Sequence, residues 1–161
     1  MAQYDTLTLP FRSLTIEDGL SQGMVSSIIQ DRAGFMWFAT KDGLNRYDGY
    51  TFTVYRHDPE DSTSFRANSV HSNFEDREGR LWRGTPTGHV LFVRDKDTFL
   101  HVTPAGPDPD VGITFGITQD KQGDLWLSGS KGLSKLTFTD GASDHPALPA
   151  YTIKEYVDGS T

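Results

Sequence analysis

Three tryptophans, Trp37, Trp82 and Trp126, are the side chains of this 161-residue sequence with the plainest chemical potential. An indole face stacks on a pyranose ring, because it offers a large apolar body with a polar edge. An aspartate precedes each by six residues: Asp31, Asp76 and Asp120. These carboxylates raise the possibility of calcium. The pattern is Asp-x-x-Gly, however, without the alternating carboxylates of a calcium loop, so turn capping is the expected role. Carboxylates also gather in DPEDSTS (58–64) and GPDPD (106–110). Either would hold a cation loosely, and solvated loops are the expectation. The five histidines, His57, His71, His89, His101 and His145, lack the close spacing of a zinc site. With no cysteine there is no disulfide, thiolate ligand or thiol nucleophile. No nucleophile elbow occurs, no Ser-His-Asp set can be placed, and nothing singles out a glycosidase-type carboxylate pair. No metal and no cofactor are expected.

The tryptophans read differently once their spacing is considered. They lie 45 and 44 residues apart. A glycine stands three residues after each aspartate (Gly34, Gly79, Gly123), and another nine residues further on (Gly43, Gly88, Gly132). Four positions thus recur in register three times, the mark of a structural repeat. A packing contact must recur once per unit, whereas a ligand contact need not. The tryptophans are therefore expected between repeats, in the core.

Each unit resolves into short β-rich runs separated by turns. The first runs are VSSIIQ (25–30), VHSNFE (70–75) and TFGITQ (114–119). Four-residue turns DRAG, DREG and DKQG follow, with Asp to accept backbone N–H groups and Gly to take positive φ. The second runs are FMWFAT, RLWRGT and DLWLSG; the third are LNRYD, HVLFV and LSKLTF. Outer runs are YTFTVY (50–55), TFLHV (98–102) and YTIKEY (151–156). No segment carries sustained helical periodicity. Four antiparallel strands every 44–45 residues predict an all-β fold of propeller blades. A β-sandwich is the alternative, and it does not explain a constant period with one tryptophan per unit.

The stretch GLSQGMVSSIIQDRAGFMWFATKDGLNRYDGYTFTVY (19–55) resembles the two-component regulator propeller repeat. The resemblance is carried by Gly19, Leu20, Val25, Gln30, Asp31, Gly34, Trp37, Thr40 and the run Gly43-Leu44-Asn45-Arg46-Tyr47-Asp48-Gly49. The second unit is more degenerate: it keeps Asp76, Gly79, Leu81-Trp82, Gly84-Thr85 and Gly88, but carries Arg83 where an apolar residue is usual. The third keeps Gln119-Asp120, Gly123, Leu125-Trp126 and Gly132-Leu133. This resemblance, spanning about 11–157, implies a non-catalytic extracytoplasmic sensor of glycans or oligosaccharides, periplasmic in location. It implies further blades of a full-length sensor and a membrane-linked histidine kinase outside this sequence. Propeller enzymes, lyases or hydrolases, and protein-interaction scaffolds are the alternatives.

Three blades of an incomplete, seven-bladed ring are therefore expected. The boundaries are a tail at 1–10, an orphan outer strand at 11–18, blade 1 at 19–56, a linker at 57–68, blade 2 at 69–103, a linker at 104–112, blade 3 at 113–157 and the start of a further blade at 158–161. Exposed blade faces predict self-association. A ligand site would lie at the mouth of the central channel, where Ser21-Gln22-Gly23, Arg66-Ala67-Asn68-Ser69 and Gly112-Ile113-Thr114 lead into the inner strands. Lys41-Asp42, Pro86-Thr87 and Ser130-Lys131 open on the same side. The candidate ligand contacts are Arg46, Lys41, Gln22, Arg66, Asn68, Thr87 and Lys131. For Arg46 a structural tie, from it or from Asn45 to a turn carboxylate such as Asp48, is the favoured reading. The net charge of −7 and a pI near 5.1, with no Lys/Arg cluster, argue against nucleic-acid binding. No run approaches the ~20 apolar residues of a membrane helix. No signal peptide is recognisable; Met1-Ala2-Gln3 suits an initiator Met on a mature chain or a plain cytoplasmic start.

Overall fold

The structure, a computed structural model, describes residues 11–104, 111–141 and 145–156. The expected tail at 1–10, the acidic run at 106–110 and the segment 158–161 lie outside the described residues.

Among them are twelve strands in three four-stranded antiparallel sheets, each a meander in sequence order. Blade 1 is β1 Val25–Gln30, β2 Met36–Thr40, β3 Gly43–Tyr47 and β4 Phe52–Tyr55. Blade 2 is β5 Ser72–Glu75, β6 Leu81–Thr85, β7 Gly88–Val93 and β8 Thr98–Val102. Blade 3 is β9 Thr114–Gln119, β10 Leu125–Gly129, β11 Gly132–Phe138 and β12 Tyr151–Tyr156. The inner strands β1, β5 and β9 run beside one another, so the sheets fan out from a common inner edge. This is the arrangement of propeller blades.

The Asp-x-x-Gly turns form as the sequence dictates. Gly34, Gly79 and Gly123 have φ of +93°, +83° and +96°, and each donates its N–H to the carbonyl of the aspartate three residues earlier. A side chain there would have to adopt the left-handed region, which costs about 1 kcal/mol or more.

Alternation along the strands sends one set of side chains to each neighbour. Between blades 1 and 2, Trp37, Ala39 and Leu44 meet Leu81, Val90, Phe92 and Phe99. Between blades 2 and 3, Trp82, Leu91 and Val102 meet Leu125, Leu127 and Leu136. Trp37 and Trp82 are fully buried in these layers, as the repeat predicts. Trp126 faces the open side of blade 3, half-buried and stacked on Tyr156 with ring centroids 5.5 Å apart.

Two expectations need correction. The stretch 11–18 is not a strand: it runs without regular structure to Thr15 and then makes a 3-10 turn, Ile16–Asp18, capped by the Thr15 side chain. A strand exists only through a partner's ladder, and none of the described strands pairs with it. The segment 57–68 is more than a linker, because its Phe65 is buried between blades 1 and 2, with its ring 4.0 Å from that of Phe99.

Candidate functional site

The repeated aspartate does two jobs. Asp31 Oδ1 accepts the N–H groups of Ala33 and Phe35, closing the turn, while Oδ2 accepts the indole N–H of Trp37 at 2.8 Å. Asp76 does the same for Glu78, Arg80 and Trp82, and Asp120 for Gln122, Asp124 and Trp126. A cation completes each cluster, supplied differently every time. Arg94 crosses from blade 2 to Asp31, Arg80 pairs with Asp76 inside its own blade, and Lys135 lies 3.6 Å from Asp120. Burial alone would raise the Asp31 carboxyl, but the Trp37 indole and the Arg94 guanidinium hold it below the usual range. At Asp120 the Trp126 hydrogen bond is the main cause of a lowered value. These aspartates spend their oxygens on the protein itself, which leaves a structural role.

At the opposite ends of the sheets, the loops leading into the inner strands meet the turns between second and third strands. Gly43 N–H donates to Asn68 C=O at 2.7 Å, and Val70 N–H to Thr40 C=O at 2.8 Å. Ser21 N–H donates to Asn45 Oδ1, and Ile113 N–H to Ser130 Oγ. Lys41, Gln22, Asn68, Thr87 and Lys131 are therefore brought to one end of the fan. Their roles differ. Gln22 Oε1 accepts from Met24 N–H, Asn68 Oδ1 accepts from His57 N–H, and Thr87 N–H bonds Thr85 Oγ1. Lys131 packs against Gly112.

Two candidates fall elsewhere. Arg46 lies on β3, its guanidinium 5.8 Å from the Trp37 ring centroid and 3.1 Å from Asp97 of blade 2. Its guanidinium is tied to a carboxylate of the neighbouring blade rather than to Asp48. Asp48 instead caps its own turn, accepting from Tyr50 and Thr51 N–H. Arg66 makes no hydrogen bond or ion pair among the described residues; its charge adds to burial in lowering the imidazole pKa of His101 on the outer strand β8. The DPEDSTS loop likewise uses its own carboxylates: Asp58 accepts from Glu60 N–H and Asp61 from Thr63 N–H.

The residues that mark the inner edge are ones the sequence did not single out. The β1–β2 register slips at Ser26 and the β9–β10 register at Phe115. Such a bulge re-aims one side chain out of the alternating pattern. Phe115 is 52% exposed, and its ring lies edge-on to His71, with centroids 5.4 Å apart. His71 occupies the corresponding place in blade 2. Partial burial, and secondarily the charge of Lys41, keep its imidazole pKa low, hence neutral. An exposed aromatic face, a neutral imidazole and a lysine thus converge on the inner edge. A common position of Ser26, His71 and Phe115 relative to Asp31, Asp76 and Asp120 was the available signal; the reversal of parity at the bulge hid it.

Two further buried polar groups lie between blades. Arg83 of β6 stacks 4.6 Å over the Trp37 ring, and burial lowers its pKa to about 9. Its Nη1 donates to Trp82 C=O, but Nε and Nη2 have no partner among the described residues. His89 of β7 occupies the place held by Leu44 and Leu133 in the other blades. It borders a cavity of about 20 Å³ beside Ile113, Lys131, Ser134 and Glu155 of blade 3, and burial lowers its pKa to about 4.

Residues 19–42 match the family model of the two component regulator propeller. Over 54 residues, 34% of this chain, the sequence is 57% identical to Histidine kinase P4 of Formosa agariphila, of which that stretch is 4%. Among solved structures it is similar to the extracellular domain of BT4673 from B. thetaiotaomicron, assigned as a hybrid two component system. That match has a TM-score of 0.59 and 25% identity, over 69% of this chain and 16% of that one. A second BT4673 structure, assigned as a one component system, gives a TM-score of 0.62 at 24% identity, over 83% and 19%. The extracellular domain of BT3049, from the same organism and assigned as a hybrid two component system, gives 0.53 at 25%, over 91% and 26%. This chain spans only a small part of each of these relatives. Among the described residues no helix is long and apolar enough to cross a membrane. Residues 19–42 are thus similar to a two component regulator propeller repeat, and the chain that carries them is built of propeller blades.

Proposed function

We propose that this chain is the ligand-reading, non-catalytic part of an extracytoplasmic sensor of the hybrid two-component type, and that its ligand is a glycan or oligosaccharide. Further blades and the histidine kinase belong to the longer protein. The observation that carries the ligand reading is Phe115, a large aromatic held open to solvent at the inner edge. Sugar rings present apolar C–H faces to such a ring and hydroxyls to its surroundings. His71 supplies a donor and an acceptor as a neutral imidazole, and Lys41 a further donor. The relatives' assignment as extracellular domains of two component systems supports the sensor role.

Calorimetry of the chain against an oligosaccharide panel tests this. Phe115→Ala should weaken the binding sugar about tenfold, the loss of roughly one stacking contact. Its melting temperature should change little, because the ring is half exposed. A panel without binding, or binding indifferent to Phe115→Ala, overturns the site. Shortening of a panel sugar during incubation would instead indicate a propeller lyase or hydrolase.

A further inference from the structure

The outer rim of blade 2 carries a groove that blade packing does not use. Blades meet through their flat faces, so a blade added at either end of the fan leaves this rim open. Four pieces of chain shape the groove: the outer strand β8, the turn Arg94–Lys96 before it, residues 62–63, and His145 from the connection between β11 and β12. Its volume is about 370 Å³, the size of a small-molecule site. Buried Val93 and Phe99 and half-buried Leu100 give it an apolar base. Ser62, Thr63 and Thr98 add hydroxyls.

The walls are held in place by the protein's own bonds. Phe99 N–H donates to Thr63 C=O at 2.9 Å, and buried Phe65 anchors the same segment between blades 1 and 2. Asp97, directly after Lys96, ends the turn at φ +55°, and its Oδ1 accepts from Arg46 and from the Tyr55 hydroxyl. His101 Nε2 lies 3.0 Å from Ser64 C=O, so in the neutral ring Nε2 donates and Nδ1 is the acceptor. His145 Nδ1 accepts from Ala147 N–H at 3.1 Å, which makes its Nε2 the protonated nitrogen.

The charge around the groove is one-sided. The chain has a net charge of −7, yet no carboxylate lines this groove. Lys96 lines it, exposed and with no hydrogen bond or ion pair among the described residues. Arg66, exposed and equally unpaired, is near enough for its charge to lower the His101 pKa. The neighbouring Asp61 spends Oδ1 on the N–H and hydroxyl of Thr63. Two cations without partners suit one negative charge. We propose that the outer rim of blade 2 binds a small organic carboxylate. Its carboxylate pairs with Lys96 and Arg66, its body rests on the apolar base, and its polar substituents meet the hydroxyls and imidazoles. This site is separate from Phe115 at the inner edge and independent of the ligand reading there.

Heteronuclear NMR of the full 161-residue chain, observing the imidazole resonances, tests it. The probes are benzoate and glucuronate, each beside a neutral counterpart, benzyl alcohol and glucose, and inorganic phosphate. At least one carboxylate should shift His101 and His145 together and saturate at millimolar concentration, as a few charge-assisted hydrogen bonds in an open groove allow. Its neutral counterpart should bind about tenfold more weakly or not at all. Lys96→Ala and Arg66→Ala should each weaken binding several-fold, and Lys96→Arg should retain it. Both side chains are exposed, so circular dichroism should show the fold unchanged. Phe115→Ala should leave this binding as it is. No shift with either carboxylate overturns the proposal. So does a neutral counterpart that binds equally well, or binding indifferent to both alanine variants. Loss of binding in Phe115→Ala would move the carboxylate to the inner edge and overturn the rim site, and tighter binding of phosphate would overturn the single charge.

Discussion

At the scale of single residues, the Asp–Trp hydrogen bond explains why both types recur with a spacing of six. The carboxylate closes a turn with one oxygen and anchors the indole with the other, so turn and core are fixed together. Asp76→Ala leaves the buried Trp82 indole N–H without its acceptor and removes one of the two carboxylates that Arg80 pairs with, Glu78 being the other, and should cost about 3 kcal/mol in denaturant unfolding. Asp120→Ala acts at a more open site, beside half-buried Trp126, and should cost clearly less. Comparing the two by urea titration checks that the cost follows burial; equal losses would contradict it. The spacing was legible from the start, since every unit repeats it. The bond was not: a turn-capping aspartate and a core tryptophan each had a sufficient reason alone, and only the fold shows one carboxylate serving both.

At the scale of the elements, the two inter-blade layers differ in chemistry. Blades 2 and 3 meet through aliphatic and aromatic side chains, with buried His89 between them and the Arg80 guanidinium 3.9 Å over the Phe138 ring. Blades 1 and 2 add Arg83 over Trp37, Asn73 Nδ2 donating to Ser27 and Trp37 carbonyls, and Arg46 paired with Asp97. Arg83 occupies the place of Phe38 and Leu127, and two of its nitrogens are buried without partners among the described residues. Replacing a half-satisfied buried cation by an apolar side chain is often neutral or stabilising. Arg83→Leu should therefore leave the melting temperature unchanged or raise it by a few degrees; a fall of comparable size would show that the Trp37 contact outweighs the desolvation. The strands themselves were readable to within two residues, because alternation and turn chemistry agree in every unit. The 11–18 stretch was misread because a β-rich pattern says nothing about whether a ladder partner is present. Phe115 escaped notice for the opposite reason: at a bulge the pattern is broken, and the residue that breaks it points to the inner edge.

At the scale of the whole molecule, acid should be destabilising. His89 is neutral when folded, its pKa lowered to about 4 by burial, and Lys131 and Glu155 line the same cavity. Unfolded, it titrates near 6.5. Between these values the unfolded chain binds the extra proton, so stability falls as pH drops from about 6.5 towards 4, by up to about 3 kcal/mol. Asp31, with its lowered pKa, adds a loss at lower pH, as its carboxylate is protonated. His89→Leu restores the residue type found at that place in the other blades. It should flatten the pH 4–6.5 limb of the stability curve, measured by thermal melts across buffers. An unchanged limb would place the acid sensitivity elsewhere.

Because each blade is written consecutively and paired in sequence order, most of its ladder contacts close over hairpins of a few residues. Low contact order of this kind favours rapid, local assembly. A blade emerging during synthesis has all four strands to hand before the next begins, and it needs its neighbour only to cover a finished face. The long excursion between β11 and β12 is the exception, so among the three the last sheet is the one whose outer strand must wait longest for its place.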